Sequence, residues 1–323
     1  MSVVRTAFGS TTAVLGAGTL LVPAALAPVS KSGSVSLVLA GALLAWALWV
    51  GAAGGTRGPG AAEFVRERVG PGVAYVVHGL YFGGFAIGQA VVVGAAGEFA
   101  GSGPTAYVLG VAVLLLAAVL AWAGVTPSPA VRSARTVMVL ALAALWWLSP
   151  RSLTLDTGDS FPGGAPLLVV PLLFAWVGLE STVPSLRPSP AAGTLSVVLG
   201  LAAPALLYVV LLNPRDAAPP GGQAGETVIG WFAALVLASY CLTNLLAVGA
   251  RWRHLCPEAT GAGAARGPER RGIAVAAVIA LATLSLAAAL DWSVAHLLLG
   301  PGTATASIYA LLALSAARRP RGA

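Results

Sequence analysis

Apolar runs of about twenty residues recur along this chain, from Ala7 to Ala316. A helix rises about 1.5 Å per residue, so ~20 apolar residues cross the hydrocarbon core of a bilayer. Inside that core each backbone N–H and C=O must be paired within the protein, which restricts long spans to helices. Ten segments qualify as spans 1 to 10, at about 8–28, 33–54, 72–99, 105–125, 133–149, 165–184, 192–212, 226–249, 272–290 and 294–316. Span 3 is long enough to tilt, and span 5 is short.

Composition agrees. Hydrophobic residues make up 58% of the 323 and charged ones 9%, with a mean hydropathy of +0.88. A soluble domain carries about a quarter charged residues, so this chain cannot cover a water-facing surface. Residues 1–323 read as one transmembrane domain, an all-α integral membrane protein with no soluble domain attached. The formal charge of +7 reads as cytoplasmic loop charge facing anionic lipid rather than a nucleic-acid footprint. Cys241 falls inside span 8 and Cys256 in a basic loop, so no structural disulfide is expected. No Cys/His cluster has metal-ligand spacing, and neither metal nor cofactor is expected. Arg5 before an apolar run resembles a signal peptide superficially, but the glycine and proline punctuation and the later spans favour a retained first span.

Charge asymmetry sets the orientation. With the N-terminus inside, the inward segments hold 15 of the 18 basic residues, and the outward ones hold Lys31, Arg151 and Arg215. That split obeys the positive-inside rule for ten spans with both termini cytoplasmic, and one span more or fewer would scramble it. Lysine occurs once, against seventeen arginines, and Ala and Gly abound. This coding bias is typical of a GC-rich bacterial genome and points to a bacterial cytoplasmic (inner) membrane.

Five spans per half give halves of opposite orientation, repeat one over about 8–149 and repeat two over about 165–316, as in inverted-repeat transporters. Matching interruptions mark the binding site in such folds. Span 1 carries Gly16-Ala17-Gly18-Thr19 and then Pro23; span 6 carries Trp176-Val177-Gly178-Leu179-Glu180 and then Pro184. Glycine and proline are common in membrane helices, but the same pattern opening both halves says more than either alone. Glu180 sharpens it, since an acid at a helix centre costs about 2.5–3.5 kcal/mol to insert and faces a partner or a watery cavity. The structural alternative is a glutamate bonded to helix backbone that holds the break.

These motifs resemble the amino acid–polyamine–organocation (APC) superfamily. Gly16 to Pro23 is similar to that family's first helix. Pro59-Gly60-Ala61-Ala62-Glu63-Phe64-Val65-Arg66-Glu67-Arg68-Val69-Gly70 is similar to its cytoplasmic loop between helices 2 and 3. Phe174 to Glu180 resembles its helix 6 motif, with Arg187-Pro188-Ser189-Pro190 where the family has a basic or Asn-Pro stretch. The resemblance covers the chain at the level of span order, although family members often have twelve helices. Some proton-coupled relatives place a lysine deep in helix 5; Arg132 and Arg135 lie at the cytoplasmic end of span 5, where a fixed cation replacing sodium is not expected.

The resemblance implies a ten-helix leucine-transporter-type fold with helices 1 and 6 broken. It implies a secondary active transporter, a permease moving an amino acid or related amine by alternating access, coupled to H+ or Na+. Bare N–H groups at a half-helix N-terminus attract a carboxylate, and carbonyls at a half-helix end attract an ammonium. The carboxylate is therefore expected near Gly16, Ala17, Gly18 and Thr19, and the amine near Phe174, Ala175 and Gly178. Phe174 aligns with the family's aromatic gate, and Trp176 is the local alternative. Glu180 resembles the glutamate linked to proton sensing in some relatives.

In span 3, His78, Tyr81, Phe85 and Gln89 share a face. His78 and Phe85 read as an aromatic packing stripe, and Tyr81 and Gln89 as pocket candidates. Ser239, Thr243 and Asn244 in span 8 are candidates to present oxygens to an ion or substrate near span 1; hydroxyls bonded to their own helix are the plainer account. Asp291 and His296 read as a solvated or capping pair. With Glu180 the one evident mid-membrane charge, a neutral or apolar solute is expected. The rival classes are a drug/metabolite exporter, a membrane enzyme and a non-transporting subunit. The exporters lack the long loop after span 2 and the paired breaks. An enzyme would need paired aspartate motifs, whereas Asp156 and Asp159 sit in an outer loop.

Overall fold

The computed structural model describes residues 15–26, 61–148, 155, 169–174, 202, 205–211, 222–256 and 267–318. Among these every regular element is a helix: α1 (Gly18–Leu26), α2 (Ala61–Arg68), α3 (Pro71–Ala100), α4 (Gly103–Trp122), α5 (Pro129–Leu148), α6 (Val169–Phe174), α7 (Gly222–Leu255), α8 (Gly267–Ala289) and α9 (Val294–Ala316). Residues 205–211 are also helical. Six helices, α3, α4, α5, α7, α8 and α9, are long and apolar enough to cross a membrane, as a multi-pass membrane protein requires. They coincide with spans 3, 4, 5, 8, 9 and 10. Span 2, most of spans 6 and 7 and the two ends of span 1 lie outside the described residues.

The helix ends follow from local chemistry. Gly70, at φ 129°, turns the chain between α2 and α3 in a conformation only glycine adopts freely, and Pro71 then opens α3. Past α4, Gly124 at φ 80° closes a Schellman motif, with Val125 N–H donating to Leu120 O and Gly124 N–H to Ala121 O, both at 2.9 Å. Ser128 Oγ then accepts from Val131 N–H at 3.3 Å before Pro129 starts α5.

α3 is the central rod, packed against α2, α4, α7, α8 and α9. Its second half, Ala90–Val93 and Ala95–Ala96, is buried. Large apolar side chains stay exposed on α4 (Val108, Leu116, Val119), α7 (Phe232, Leu235) and α8 (Val278). On helices of this hydropathy such faces are lipid-facing. Glycines allow the crossings. A Cβ on Gly97 would fall 2.0 Å from Ala106 O on α4, and one on Gly230 of α7 would fall 2.0 Å from Phe99 O.

The arginine-bearing ends gather on one face. Arg68 of α2 donates to Ala316 O at 3.3 Å and Arg318 O at 2.8 Å, beyond the end of α9. Arg270, at the start of α8, donates to Trp122 O at the end of α4 at 3.2 Å, and Tyr75 near the start of α3 donates to Leu255 O at the end of α7. Lys31, Arg151 and Arg215, the basic residues expected on the opposite side, lie outside the described residues.

Candidate functional site

A cavity of about 540 Å³ lies between α1, α3, α5, α6, α7 and α9. It occupies the half of the bundle that carries the arginine-bearing ends, since its lining comes from the first part of α3 and α5 and the later part of α7 and α9. Three helix features leave room for it. The chain turns at Leu15–Ala17, inside span 1, and is helical from Gly18. Pro301 interrupts α9 from within, and its missing N–H frees a carbonyl one turn earlier. Gly84 and Gly88 of α3 leave no side chain where α9 and Phe174 approach: a Cβ on Gly84 would stand 2.6 Å from Ala304 Cβ, and one on Gly88 3.6 Å from the Phe174 ring.

Of the residues expected at a substrate site, Gly16, Ala17, Gly18, Tyr81 and Phe174 line this cavity, as do Phe85, Gln89, Thr243 and Asn244. Thr19 does not. It is buried on the far side of α1, with Oγ1 3.4 Å from the Tyr208 hydroxyl and packed near Pro23 and Trp146. Its part is to seat α1 rather than to touch a solute. Ser239 contributes its carbonyl, which accepts from Thr243 Oγ1 at 2.9 Å. Ala175, Trp176, Gly178 and Glu180 lie outside the described residues. Phe85, read as packing, is at the cavity wall. His78 stacks on His254 at the arginine-rich end, with ring centroids 4.7 Å apart. His296 Nδ1 is 2.8 Å from the side-chain Oγ of Ser293, at the opposite end where α9 begins.

Sequence reading missed two anchors. Arg135, assigned to the margin of span 5, reaches inward. Its Nη1 donates to Ser239 O at 3.3 Å and Thr243 Oγ1 at 2.8 Å, and its guanidinium lies 3.9 Å from the Tyr240 ring centroid. The oxygens expected to face an ion therefore carry a side-chain cation, so the expectation of no fixed cation here is corrected. A guanidinium on a three-carbon stem covers a full helix turn, and its target is set by which helix packs alongside. Tyr240 is the second anchor. Its hydroxyl donates to Leu15 O at 2.9 Å, tying the turn before α1 to α7. The sequence signal was an aromatic next to the Ser239/Thr243 pair.

The remaining lining is of mixed character. Arg251 lies 4.7 Å over the Tyr81 ring, and Arg132, Thr305 and Tyr309 complete the polar groups. Gln89 donates Nε2 to Phe85 O at 2.8 Å. Polar atoms around an apolar frame, enclosed by spanning helices, suit a small polar solute. Among the described residues no His/Cys/Asp/Glu group has the composition of a metal site. No protein-family model and no curated protein matches the chain.

Proposed function

We propose that this protein is a secondary transporter of the APC type, a permease that moves an amino acid across a bacterial cytoplasmic membrane by alternating access. Ten spans arranged as two inverted five-helix repeats, with helices 1 and 6 interrupted, are part of that proposal. The supporting observation is where α1 begins. Residues 15–17 form a turn within an apolar span, α1 starts at Gly18, and Gly16, Ala17 and Gly18 open onto the same cavity as Phe174 of α6. A helix start of this kind aims backbone dipoles at an anionic group in a place lipid could not tolerate unless it lined a cavity. The α-carboxylate of the solute binds there, with its ammonium on the side of the cavity lined by Phe174 and Gln89. Arg135, held on Ser239 and Thr243, supplies a fixed positive charge between α5 and α7 where a coupling cation would otherwise sit. This favours H+ over Na+, with Glu180 as the proton-responsive group.

Uptake of radiolabelled amino acids into proteoliposomes tests the reading. Wild type is expected to accumulate at least one amino acid, faster under an inward proton gradient, with the gradient response lost in Glu180→Gln. Absence of flux for every amino acid and amine at all gradients would return the chain to the exporter or subunit classes.

A further inference from the structure

The charge of the cavity narrows the solute. Arg132, Arg135 and Arg251 line it, and no described lining residue is acidic. The ion pairs Arg66–Glu63 and Arg253–Glu269 are made elsewhere. Arg135 is half-buried and its contacts are neutral: a carbonyl, a hydroxyl and an aromatic face. Dipoles and a ring quadrupole orient a guanidinium but leave its full charge standing. Its Nε is buried and has no partner among the described residues.

A second observation is independent of the arginines. Gln89 is 1% exposed, and Nε2 donates to Phe85 O at 2.8 Å. A carbonyl only accepts, so this bond fixes which end of the amide is nitrogen. Oε1 is buried and has no donor among the described residues, in a side chain that belongs to the cavity wall. Buried polar atoms are nearly always satisfied, so an orphaned acceptor in a cavity awaits a donor from what fills it. A complementary occupant brings more carboxylate than ammonium, and an N–H as well.

We propose that the transported solute is an amino acid with a second carboxylate, carried as a net anion. The second carboxylate is met by the guanidiniums and the ammonium by Gln89 Oε1, while the α-carboxylate keeps its place at the Gly16–Gly18 turn. A cationic amine would face three like charges, and a neutral zwitterion would leave them uncompensated. This replaces the neutral or apolar solute expected from Glu180 alone, and it rests on the transporter reading above.

The test compares L-glutamate, L-aspartate, L-glutamine, L-leucine and putrescine, by binding to the purified protein and by proteoliposome flux. Glutamate or aspartate is expected to bind and move, with glutamine about tenfold or more weaker. Arg251→Gln and Arg132→Gln, checked for folding by size exclusion, are each expected to cut the acid-to-glutamine preference by about tenfold, less if salt screens the site. If glutamine, leucine or putrescine is carried and neither acid binds or competes, the anionic assignment is wrong and the transporter reading stands. An acid-to-glutamine preference that is unchanged in both variants also overturns the assignment. If none of the five binds or moves, the anionic assignment falls, and flux of the remaining amino acids and amines decides the transporter reading.

Discussion

Removing one hydroxyl should loosen the start of α1. Tyr240 is 7% exposed and Leu15 6%, and the 2.9 Å bond between the Tyr240 hydroxyl and Leu15 O is made away from water. Tyr240→Phe leaves the ring in place, so the stacking of Arg135 at 3.9 Å from its centroid survives. What is lost is one donor, and the Leu15 carbonyl is left buried without it. An orphaned buried acceptor costs about 1–3 kcal/mol, more than the ~1 kcal/mol net of an average hydrogen bond. The other polar tie on α1, Thr19 Oγ1 to the Tyr208 hydroxyl, is 3.4 Å long and weaker.

If α1 opens as a local unit, its opening free energy falls by that amount, and amide exchange across residues 15–26 speeds up roughly 5- to 150-fold. Hydrogen–deuterium exchange with mass spectrometry on the detergent-solubilised protein reads this directly. A peptide from α4, which is remote from this bond, serves as internal reference. Tyr208→Phe should give a smaller change in the same peptide. Unchanged exchange over residues 15–26 in a monodisperse Tyr240→Phe protein would refute the view that this hydroxyl pins the turn to α7.

Other substitutions probe the scaffold. Gly97→Ala puts a methyl 2.0 Å from Ala106 O and should reduce folded yield, whereas Gly79→Ala meets nothing within 4 Å and should gain about 0.5–1 kcal/mol; thermal melts in detergent separate them. Arg68→Ala should free the end of α9 and raise proteolysis near Ala316–Arg318, and Arg68→Lys should rescue it only in part, because an ammonium that donates to the two carbonyls loses the flat guanidinium contact with the Phe64 ring. A double-mutant cycle on Arg253–Glu269, 2.6 Å apart but partly exposed, should give a coupling below about 1 kcal/mol. A single cysteine at Trp292 should react with an impermeant maleimide on intact cells and one at Ala123 only after permeabilisation; the reverse pattern would invert the orientation drawn from arginine placement.

Six of the ten expected spans were legible because the bilayer sets one length and one polarity. Runs expected at 105–125, 272–290 and 294–316 appear as α4 over 103–122, α8 over 267–289 and α9 over 294–316. The run expected at 226–249 continues to Leu255 as α7, since nothing between Ala250 and His254 breaks a helix and the end bonds to Tyr75 and Glu269 on neighbouring helices. The turn at 15–17, which carries Gly16 and leads into Gly18, was legible for a related reason: local backbone freedom is written in local residue types.

Contacts between helices were not legible. Arg132 and Arg135 differ by three positions at one end of one helix, and nothing local says that Arg135 turns towards Thr243. The same holds for Tyr240 and Leu15, 225 residues apart. The first exists only once α5 packs beside α7 and the second only once α1 does, and they meet at Tyr240, whose ring takes Arg135 and whose hydroxyl holds the turn at 15–17. That convergence gives the turn its two-sided character. Backbone groups on its open side are available to a solute, and a carbonyl on its closed side is held by a tyrosine that also carries the fixed cation. Under the proposed alternating-access reading, a solute that changes the electrostatic balance around Arg135 acts on the same ring that anchors α1, the helix that would shift in such a cycle.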